Sequence, residues 1–317
     1  MKRIALIGCG RHARACHAPS LARYASDHSG EIELAAACDL DLEKAGAFCQ
    51  RFGFLKAYSD LGEMLRAEKI DGIVSVMPHG AICEMGIRLF KIGIPCVIEK
   101  PLGASIEDVR RLARAAEETG APHIVSVNRR FSPYLNRAIE FAAERGPIRF
   151  LRVSMVRWRR AEDTFVWETA IHAVDAARHV AGEIESYEAR AIRHPEMGGA
   201  WFLIDAQFKS GCKGRIEILP TTGMREETYD LYGENYRALA SVMEAPRAYV
   251  KCWSSNKFSF GRTASPNAPA FQVDGSYEET AAFIRMLDNP STLAPTVPAI
   301  APAAEICWAI ALRQRQA

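Results

Sequence analysis

The chain has 317 residues, 49% hydrophobic and 25% charged, which predicts about two globular domains. Its formal net charge of +2 gives no strong field toward nucleic acid or an anionic membrane, so neither is an expected partner. No apolar stretch approaches the roughly 18–20 residues of a membrane helix. The nine cysteines lack disulfide-framework or zinc-type spacing, which predicts reduced thiols, a cytoplasmic protein and no metal site.

The first 125 or so residues alternate short apolar runs with helical patterns. The run Ile4–Ile7 is too short for a signal peptide and is a predicted strand. Further strands are predicted at Glu33–Cys38, Ile73–Met77, Val97–Ile98 and Ile124–Val127, with helices between them. Such alternation is typical of a parallel, doubly wound α/β sheet, so residues 1–125 are the first predicted domain.

The pattern changes after Asn128, where longer strands with alternating burial appear. One helix, about Thr169–Ala181, interrupts them, and two more are predicted at Tyr277–Leu287 and Ala303–Arg315. The stretch Ser254–Gln272, rich in Ser, Asn, Pro and Gly, is predicted to be a long loop. Residues 126–317 are therefore a predicted α/β domain with an open, predominantly antiparallel sheet. Its exposed sheet face needs cover, which favours a homo-oligomer, a dimer or a tetramer.

A glycine-rich turn follows the first strand. It reads Gly-Cys-Gly-Arg-His-Ala and fits G-x-G-x-x-[GA]. In a dinucleotide fingerprint Gly8 permits the tight turn, Gly10 lets the backbone approach a pyrophosphate, and the small Ala13 allows close helix packing. Arg11 and His12 begin the helix whose N-terminus faces the anion. The alternative is a purely structural glycine turn.

Asp39 ends the second predicted strand, where an acidic residue can accept hydrogen bonds from both adenosine ribose hydroxyls. Its charge would repel a 2′-phosphate, and no basic residue stands at Leu40 or Asp41 to hold one. The sequence therefore predicts NAD rather than NADP. The alternative is that Asp39 merely caps the following helix.

The tripeptide Glu99-Lys100-Pro101 closes a buried apolar strand. Ligands in open α/β sheets bind outside the carboxyl ends of the strands, so a lysine there is a candidate catalytic cation.

Glu168, His172 and Asp175 have i,i+4 and i,i+3 spacing, which places them near one face of a predicted helix. Flanking carboxylates can fix an imidazole in one tautomer, as a general base on a substrate hydroxyl requires. The alternative is a packed structural histidine, which is our interpretation of His179.

Three arginines cluster at the end of the predicted strand Ile148–Trp158. Arg157 and Arg159 are predicted to share one strand face, with Arg160 beside them, and the favoured interpretation is a solvated sheet face or an oligomer contact. The alternative is that Arg157 and Arg159 bind a substrate carboxylate or phosphate.

The order of these motifs resembles the Gfo/Idh/MocA oxidoreductases over nearly the whole chain. The resemblance rests on Gly8-x-Gly10, Glu99-Lys100-Pro101, Arg130-Phe131-Ser132-Pro133, His172-x-x-Asp175 and Tyr277-x-Glu279-x-x-x-Phe283. It implies a Rossmann domain joined to an open-sheet α/β domain. It also implies that Lys100 lies beside the nicotinamide, often with a cis bond to Pro101, whereas the residues alone favour trans.

The same resemblance implies the remaining site residues. His172 would be the catalytic histidine, followed by Asp175 on its helix, and Pro78, His79, Glu99 and Lys100 would contact the cofactor. Two positions depart from the family pattern: many members have Asp where this chain has Glu168, and many have His where it has Cys83.

The sequence thus predicts an NAD(P)-dependent dehydrogenase acting on a CH-OH group of a sugar, polyol or related molecule. His172 would take the hydroxyl proton, directly or through Lys100, and Lys100 would stabilise the alkoxide. Lys100 as the base itself, and reduction of an imine or ene, stay open. The alternative from another class is a dinucleotide-binding regulator or scaffold without turnover.

Overall fold

A computed structural model describes residues 1–193, 199–290 and 295–316, with side chains to residue 312. The chain divides into two units: Met1–Val127 with Ser276–Pro302, and Asn128–Gly275 with Ala303–Ala317. The sequence placed residues 276–302 in the second domain. They belong to the first unit because Phe283 packs against Gly72 and Glu279 accepts a hydrogen bond from Ser126 Oγ at 2.8 Å.

Unit 1 contains a six-stranded parallel sheet in the order β3-β2-β1-β4-β5-β6, the predicted Rossmann topology. Its strands are β1 Lys2–Ile7, β2 Ile32–Cys38, β3 Lys56–Tyr58, β4 Gly72–Ser75, β5 Cys96–Glu99 and β6 His123–Ser126. Three of them, β4, β5 and β6, are short runs of buried residues, as expected for a sheet covered on both faces. The strand order reverses between β1 and β4, and ligands of such sheets bind at that switch point.

The helices of unit 1 are α1 Ala18–Asp27, α2 Leu42–Phe52, α3 Leu61–Ala67, α4 His79–Ile92, α5 Ile106–Thr119 and, after unit 2, α10 Ser276–Asp288. Three of them, α2, α3 and α5, begin at polar capping side chains. The Asp60 and Ser105 side chains accept from the Glu63 and Asp108 amides at 2.8 and 3.1 Å. A π-helical turn, Ala13–His17, precedes α1.

Unit 2 contains an eight-stranded sheet in the order β14-β13-β12-β11-β7-β10-β9-β8. Only β7 and β10 pair in parallel, so the sheet is mostly antiparallel, as predicted. Its strands are β7 Phe150–Val156, β8 Ile184–Ile192, β9 Trp201–Phe208, β10 Lys213–Leu219, β11 Glu226–Gly233, β12 Tyr236–Ser241, β13 Tyr249–Ser254 and β14 Lys257–Thr263. Its helices are α6 Pro133–Ala143, α7 Phe165–Glu168, α8 Ile171–Ala181, α9 Ala270–Val273 and the later part of α11 Val297–Gln316.

Two expectations for unit 2 are wrong. The predicted loop Ser254–Gln272 contains the edge strand β14, which backbone pairing with β13 stabilises despite its loop-like composition. Glu168 and His172 lie on successive helices rather than on one, because the chain turns after α7. The amides of Thr169 and Ala170 both donate to the Phe165 carbonyl, at 2.8 and 3.0 Å.

Among the described residues, no helix combines the length and apolar composition that crossing a membrane requires.

Candidate functional site

A cavity of about 820 Å³ opens in unit 1 at the carboxyl ends of β1, β2 and β4. A volume of this order is usual for a small-molecule or cofactor site. The predicted cofactor residues that line it are Gly8, Gly10, Arg11, His12, Asp39 and Pro78. The structure therefore brings three separate segments of the chain, the glycine-rich turn, Asp39 and Pro78, to one depression. The sequence analysis missed other lining residues, among them Lys44, Ser59, Asp60, Met77 and Arg88.

The two fingerprint positions, 8 and 10, carry glycine for different physical reasons. Gly8 has φ of +89°, and a Cβ built there would lie 2.2 Å from the Val76 carbonyl oxygen, so the fold itself requires glycine. Gly10 has no positive φ, and a Cβ there would meet nothing within 4 Å. Packing does not demand glycine at position 10, whereas close approach of a ligand to the backbone would. The cradle therefore fits a dinucleotide phosphate.

Ala13, the last fingerprint position, is fully buried in the π-helical turn. It does not line the cavity, and neither does Glu99.

Asp39 is held beside the glycine loop by three donors. The Cys9 amide and Lys44 Nζ each donate to Oδ2 at 2.8 Å, and the Asp41 amide donates to Oδ1 at 3.2 Å. Burial opposes ionisation of Asp39, but these donors outweigh it and lower the pKa below its usual value. The residue that caps α2 is Asp41, which accepts from the Lys44 amide, so Asp39 does not serve as that cap.

A buried carboxylate, Glu99, lies at the end of β5 between two histidines. Its Oε1 is 2.5 Å from His17 Nε2 and 3.1 Å from His12 Nε2. Glu99 and His17 are buried, whereas the His12 side chain is 53% exposed and lines the cavity. The carboxylate raises the pKa of His12 to about 11 against the opposing effect of burial.

The same three side chains could supply three ligands to a divalent metal, since their donor atoms all lie within 4.8 Å of one another. Two histidines and a glutamate are a known zinc ligand set. His17 Nε2 and Glu99 Oε1 lie at hydrogen-bond distance from each other, so a metal ion in this cluster would replace that hydrogen bond.

Lys100 follows β5 and is half-buried, and its bond to Pro101 is cis, as the family resemblance implied and against the expectation from the residues alone. His79 is exposed at the start of α4 beside Pro78. Cys83 is buried on α4, and its Sγ donates to the Asp108 carbonyl at 3.4 Å, so it faces α5.

His172 lies in unit 2 near the start of α8 and is buried, 8% exposed. Asp175, one turn later, is clasped by Arg130, whose Nε and Nη2 donate to its two oxygens at 2.8 and 2.7 Å. Arg178 Nη1 lies 3.7 Å from the same carboxylate. Glu168 accepts from Thr164 Oγ1 at 3.0 Å. The Asp175 carboxylate therefore pairs with arginine side chains, and the i,i+3 spacing from His172 did not reveal this pairing.

An ion cluster around the fully buried Glu227, which the sequence analysis did not predict, lies in the same unit. Arg129 grips Glu227 at 2.9 and 3.0 Å, Arg157 donates to the same carboxylate, and Tyr229 Oη donates to it at 2.8 Å. Burial opposes ionisation of Glu227, but the two arginines outweigh it and lower its pKa.

The predicted Arg157–Arg159 pair on one strand face is wrong. β7 ends at Val156, and Arg157 is buried on Glu227. Arg159 has φ of +54° and stacks on the exposed Trp158, with its Cζ 4.8 Å from the ring centroid. Both line a depression of about 520 Å³ together with Thr221, Thr222 and Gly223.

The fold and the cavity define a Rossmann-type nucleotide-binding architecture with a second, open-sheet α/β unit. Residues 2–128 match the family model GFO_IDH_MocA, described as an oxidoreductase family with an NAD-binding Rossmann fold. The match covers the N-terminal domain of this chain.

Several of the relatives are named dehydrogenases of sugars and polyols. The chain is 31% identical over 206 residues to a D-apiose dehydrogenase of Paraburkholderia graminis, covering 60% of this chain and 52% of that one. It is 27% identical over 219 residues to an inositol 2-dehydrogenase of Rubrobacter xylanophilus, covering 63% and 61%. The chain thus spans between half and two thirds of these curated relatives.

Among solved structures, a levoglucosan dehydrogenase in complex with NADH and levoglucosan superimposes with a TM-score of 0.82. The match covers 99% of this chain and 97% of that one at 18% identity, which establishes a shared fold.

Proposed function

We propose that the chain is an NAD-dependent dehydrogenase that transfers hydride between nicotinamide and a carbinol or carbonyl carbon of a sugar, polyol or related molecule. The observation that carries the proposal is the cavity at the switch point, where Gly8, Gly10 and Asp39 meet. The names of the relatives support the substrate class.

Asp39 supports NAD over NADP. Three donors fix its carboxylate beside the glycine loop, and its lowered pKa keeps it ionised at neutral pH. An ionised carboxylate accepts ribose hydroxyls and repels a 2′-phosphate. Lys44 offsets part of this negative charge, so its contact with Asp39 weakens the discrimination against NADP.

The bound dinucleotide supplies the hydride acceptor. We assign His172 the role of general base, which takes the proton of the reacting hydroxyl, and Lys100 the role of a cation that stabilises the developing alkoxide. Asp175 is bound by Arg130, so we assign it a positioning role on α8. We also assign a positioning role to Glu168, which ends the preceding helix α7 close in sequence to the start of α8.

Arg159 and Trp158 are the proposed contacts of the second unit with substrate. An indole face with a guanidinium beside it suits a sugar ring that carries an acidic group. The buried Arg157 is excluded from this role by its ion pair with Glu227.

Two further properties belong to the proposal. All nine cysteines lie among the described residues and are free thiols, which supports a reducing, cytoplasmic location. The open sheet of unit 2 favours a homo-oligomer.

The direct test is the reduced-nicotinamide absorbance of purified protein with NAD⁺ and a panel of sugars, polyols and sugar acids. Turnover on at least one substrate class supports the proposal. Tight NADH binding without turnover on any of them favours the regulator or scaffold.

A further inference from the structure

We infer that a basic depression beside the glycine turn of unit 1 binds a phosphate monoester, at a place adjoining the dinucleotide cavity but distinct from it. The depression has a volume of about 700 Å³, and its charged lining residues are Arg11, Arg14, Lys44 and Arg51. None of the described residues that line it is acidic. The inference goes beyond the proposed function, because it requires neither a substrate nor hydride transfer.

The four basic side chains come from two separate segments of the chain. Arg11 and Arg14 belong to the helical turn that follows the glycine loop, where the Arg14 amide donates to the Gly10 carbonyl at 3.1 Å. Lys44 and Arg51 are seven residues apart on α2, a spacing that places both on one face of the helix. The fold therefore gathers cations that are distant in sequence around one concave surface.

The three arginines of the depression lack carboxylate partners. In the part of the chain that the structure describes, the guanidinium groups of Arg11 and Arg14 form no hydrogen bond or ion pair. Arg51 lies over the Phe52 ring with its Cζ 5.2 Å from the centroid, a contact of the guanidinium face that leaves its N–H groups open to a ligand. Like charges around one depression repel each other, so an anion bound there is attracted by all of them.

Lys44 lies between the depression and the dinucleotide cavity. It lines both, and its Nζ donates to Asp39 Oδ2 at 2.8 Å. Asp39 lines the cavity but not the depression. The carboxylate that would repel a phosphate therefore faces the cavity, whereas the side chains that face the depression carry only positive charge.

The lining residues favour a phosphate monoester as the ligand. Guanidinium groups bind phosphate oxygens in pairs, and a phosphate dianion can accept from several of them at once. A volume of about 700 Å³ leaves room for part of the molecule that carries the phosphate. Two sources share this chemistry, namely the 2′-phosphate of an adenine dinucleotide in the adjoining cavity and a free phosphate ester. The first source alone rests on the proposed function.

The experiment compares wild type with a variant that combines Arg14→Gln and Arg51→Gln, two exposed arginines that line the depression but not the cavity. Binding of inorganic phosphate is followed by the broadening of its ³¹P NMR line, and binding of NADH and NADPH by fluorescence. We expect the variant to bind phosphate at least about tenfold more weakly and to bind NADH as wild type does. The matched control combines Arg23→Gln and Arg114→Gln, which remove the same charge from exposed positions of unit 1 outside the depression.

The affinity for NADPH identifies the source of the phosphate. A loss of at least about tenfold for NADPH, with NADH unchanged, assigns the depression to the 2′-phosphate. Loss of phosphate binding with NADPH unchanged assigns it to a free phosphate ester. Either result supports the inference, provided that the control variant behaves as wild type.

Three outcomes overturn the inference. Phosphate and NADPH binding that are absent from wild type, or unchanged in the double variant, would leave the arginines as a solvated surface. Equal losses in the double variant and the control would show a general effect of net charge. An NADH affinity that falls as far as the NADPH affinity would place the arginines in the dinucleotide site. If wild type binds neither dinucleotide, the proposed function fails, while the phosphate titration still tests the depression.

Discussion

Substitution of the two fingerprint glycines by alanine should change the free energy of unfolding in opposite directions, lowering it at Gly8 and raising it at Gly10. In Gly8→Ala the new Cβ would lie 2.2 Å from the Val76 carbonyl oxygen at φ of +89°. The left-handed backbone costs roughly 1–2 kcal/mol and the forced backbone shift roughly 1–3 kcal/mol. The expected loss of unfolding free energy is therefore about 2–5 kcal/mol.

Gly10→Ala places its Cβ in open space, with nothing within 4 Å. Its φ is not positive, so alanine should stabilise unit 1 by about 0.4–1 kcal/mol through the unfolded chain. The same methyl group would keep a pyrophosphate from the backbone, so NADH affinity should fall at least about tenfold, or about 1.4 kcal/mol.

The assay pairs a urea unfolding midpoint with an NADH fluorescence titration. Gly46→Ala, on α2 where a Cβ also meets nothing within 4 Å, is the matched control and should leave binding unchanged. Wild-type NADH affinity in Gly10→Ala would refute the assignment of this glycine to the cofactor. An unfolding midpoint lowered as far as that of Gly8→Ala would refute the packing argument.

The remaining predictions concern catalysis and selectivity. Lys100→Met and His172→Ala should each lower kcat by roughly 10²–10⁴-fold with little change in NADH affinity; a falling pH–rate limb retained in His172→Ala would show that the histidine is dispensable as base. Asp39→Asn should reduce the NAD over NADP ratio of kcat/KM at least about tenfold, and an unchanged ratio would remove Asp39 from the selectivity argument. Arg159→Ala should raise KM for sugar acids but not for neutral polyols, whereas equal effects on both would leave Arg159 outside the substrate contacts.

The sequence predicted unit 1 well because its signals are local. Short buried runs, the glycine turn and the caps at Asp60 and Ser105 each depend on a few neighbouring residues. The lysine at the end of β5 was identified in the same way, since the end of an apolar run can be read directly.

Features that depend on tertiary packing were not predictable in this way. Lys44 stands five residues after Asp39 and its Nζ donates back to the Asp39 carboxylate. The sequence argument about a basic residue near Asp39 rested on positions 40 and 41 alone. Glu227 is a buried anion in a strand whose alternation resembles a half-exposed sheet, and only the fold brings Arg129 and Arg157 to it.

The prediction that Glu168 and His172 lie on one helix was wrong for a local reason. The spacing of Glu168 and His172 is helical, but the two hydrogen bonds to the Phe165 carbonyl divide the segment into α7 and α8. Asp175 was expected to orient His172, and its pairing with Arg130 could not be inferred from residues 45 positions apart.

The central claim is that this chain moves hydride from a hydroxylated carbon to nicotinamide. The most direct measurement is the mass of the cofactor after incubation with NAD⁺ and polyols deuterated at their carbinol carbons. The account predicts reduced cofactor carrying one deuterium, formed by wild type and strongly diminished in Lys100→Met. Cofactor that binds but gains no deuterium from any polyol or sugar would contradict it.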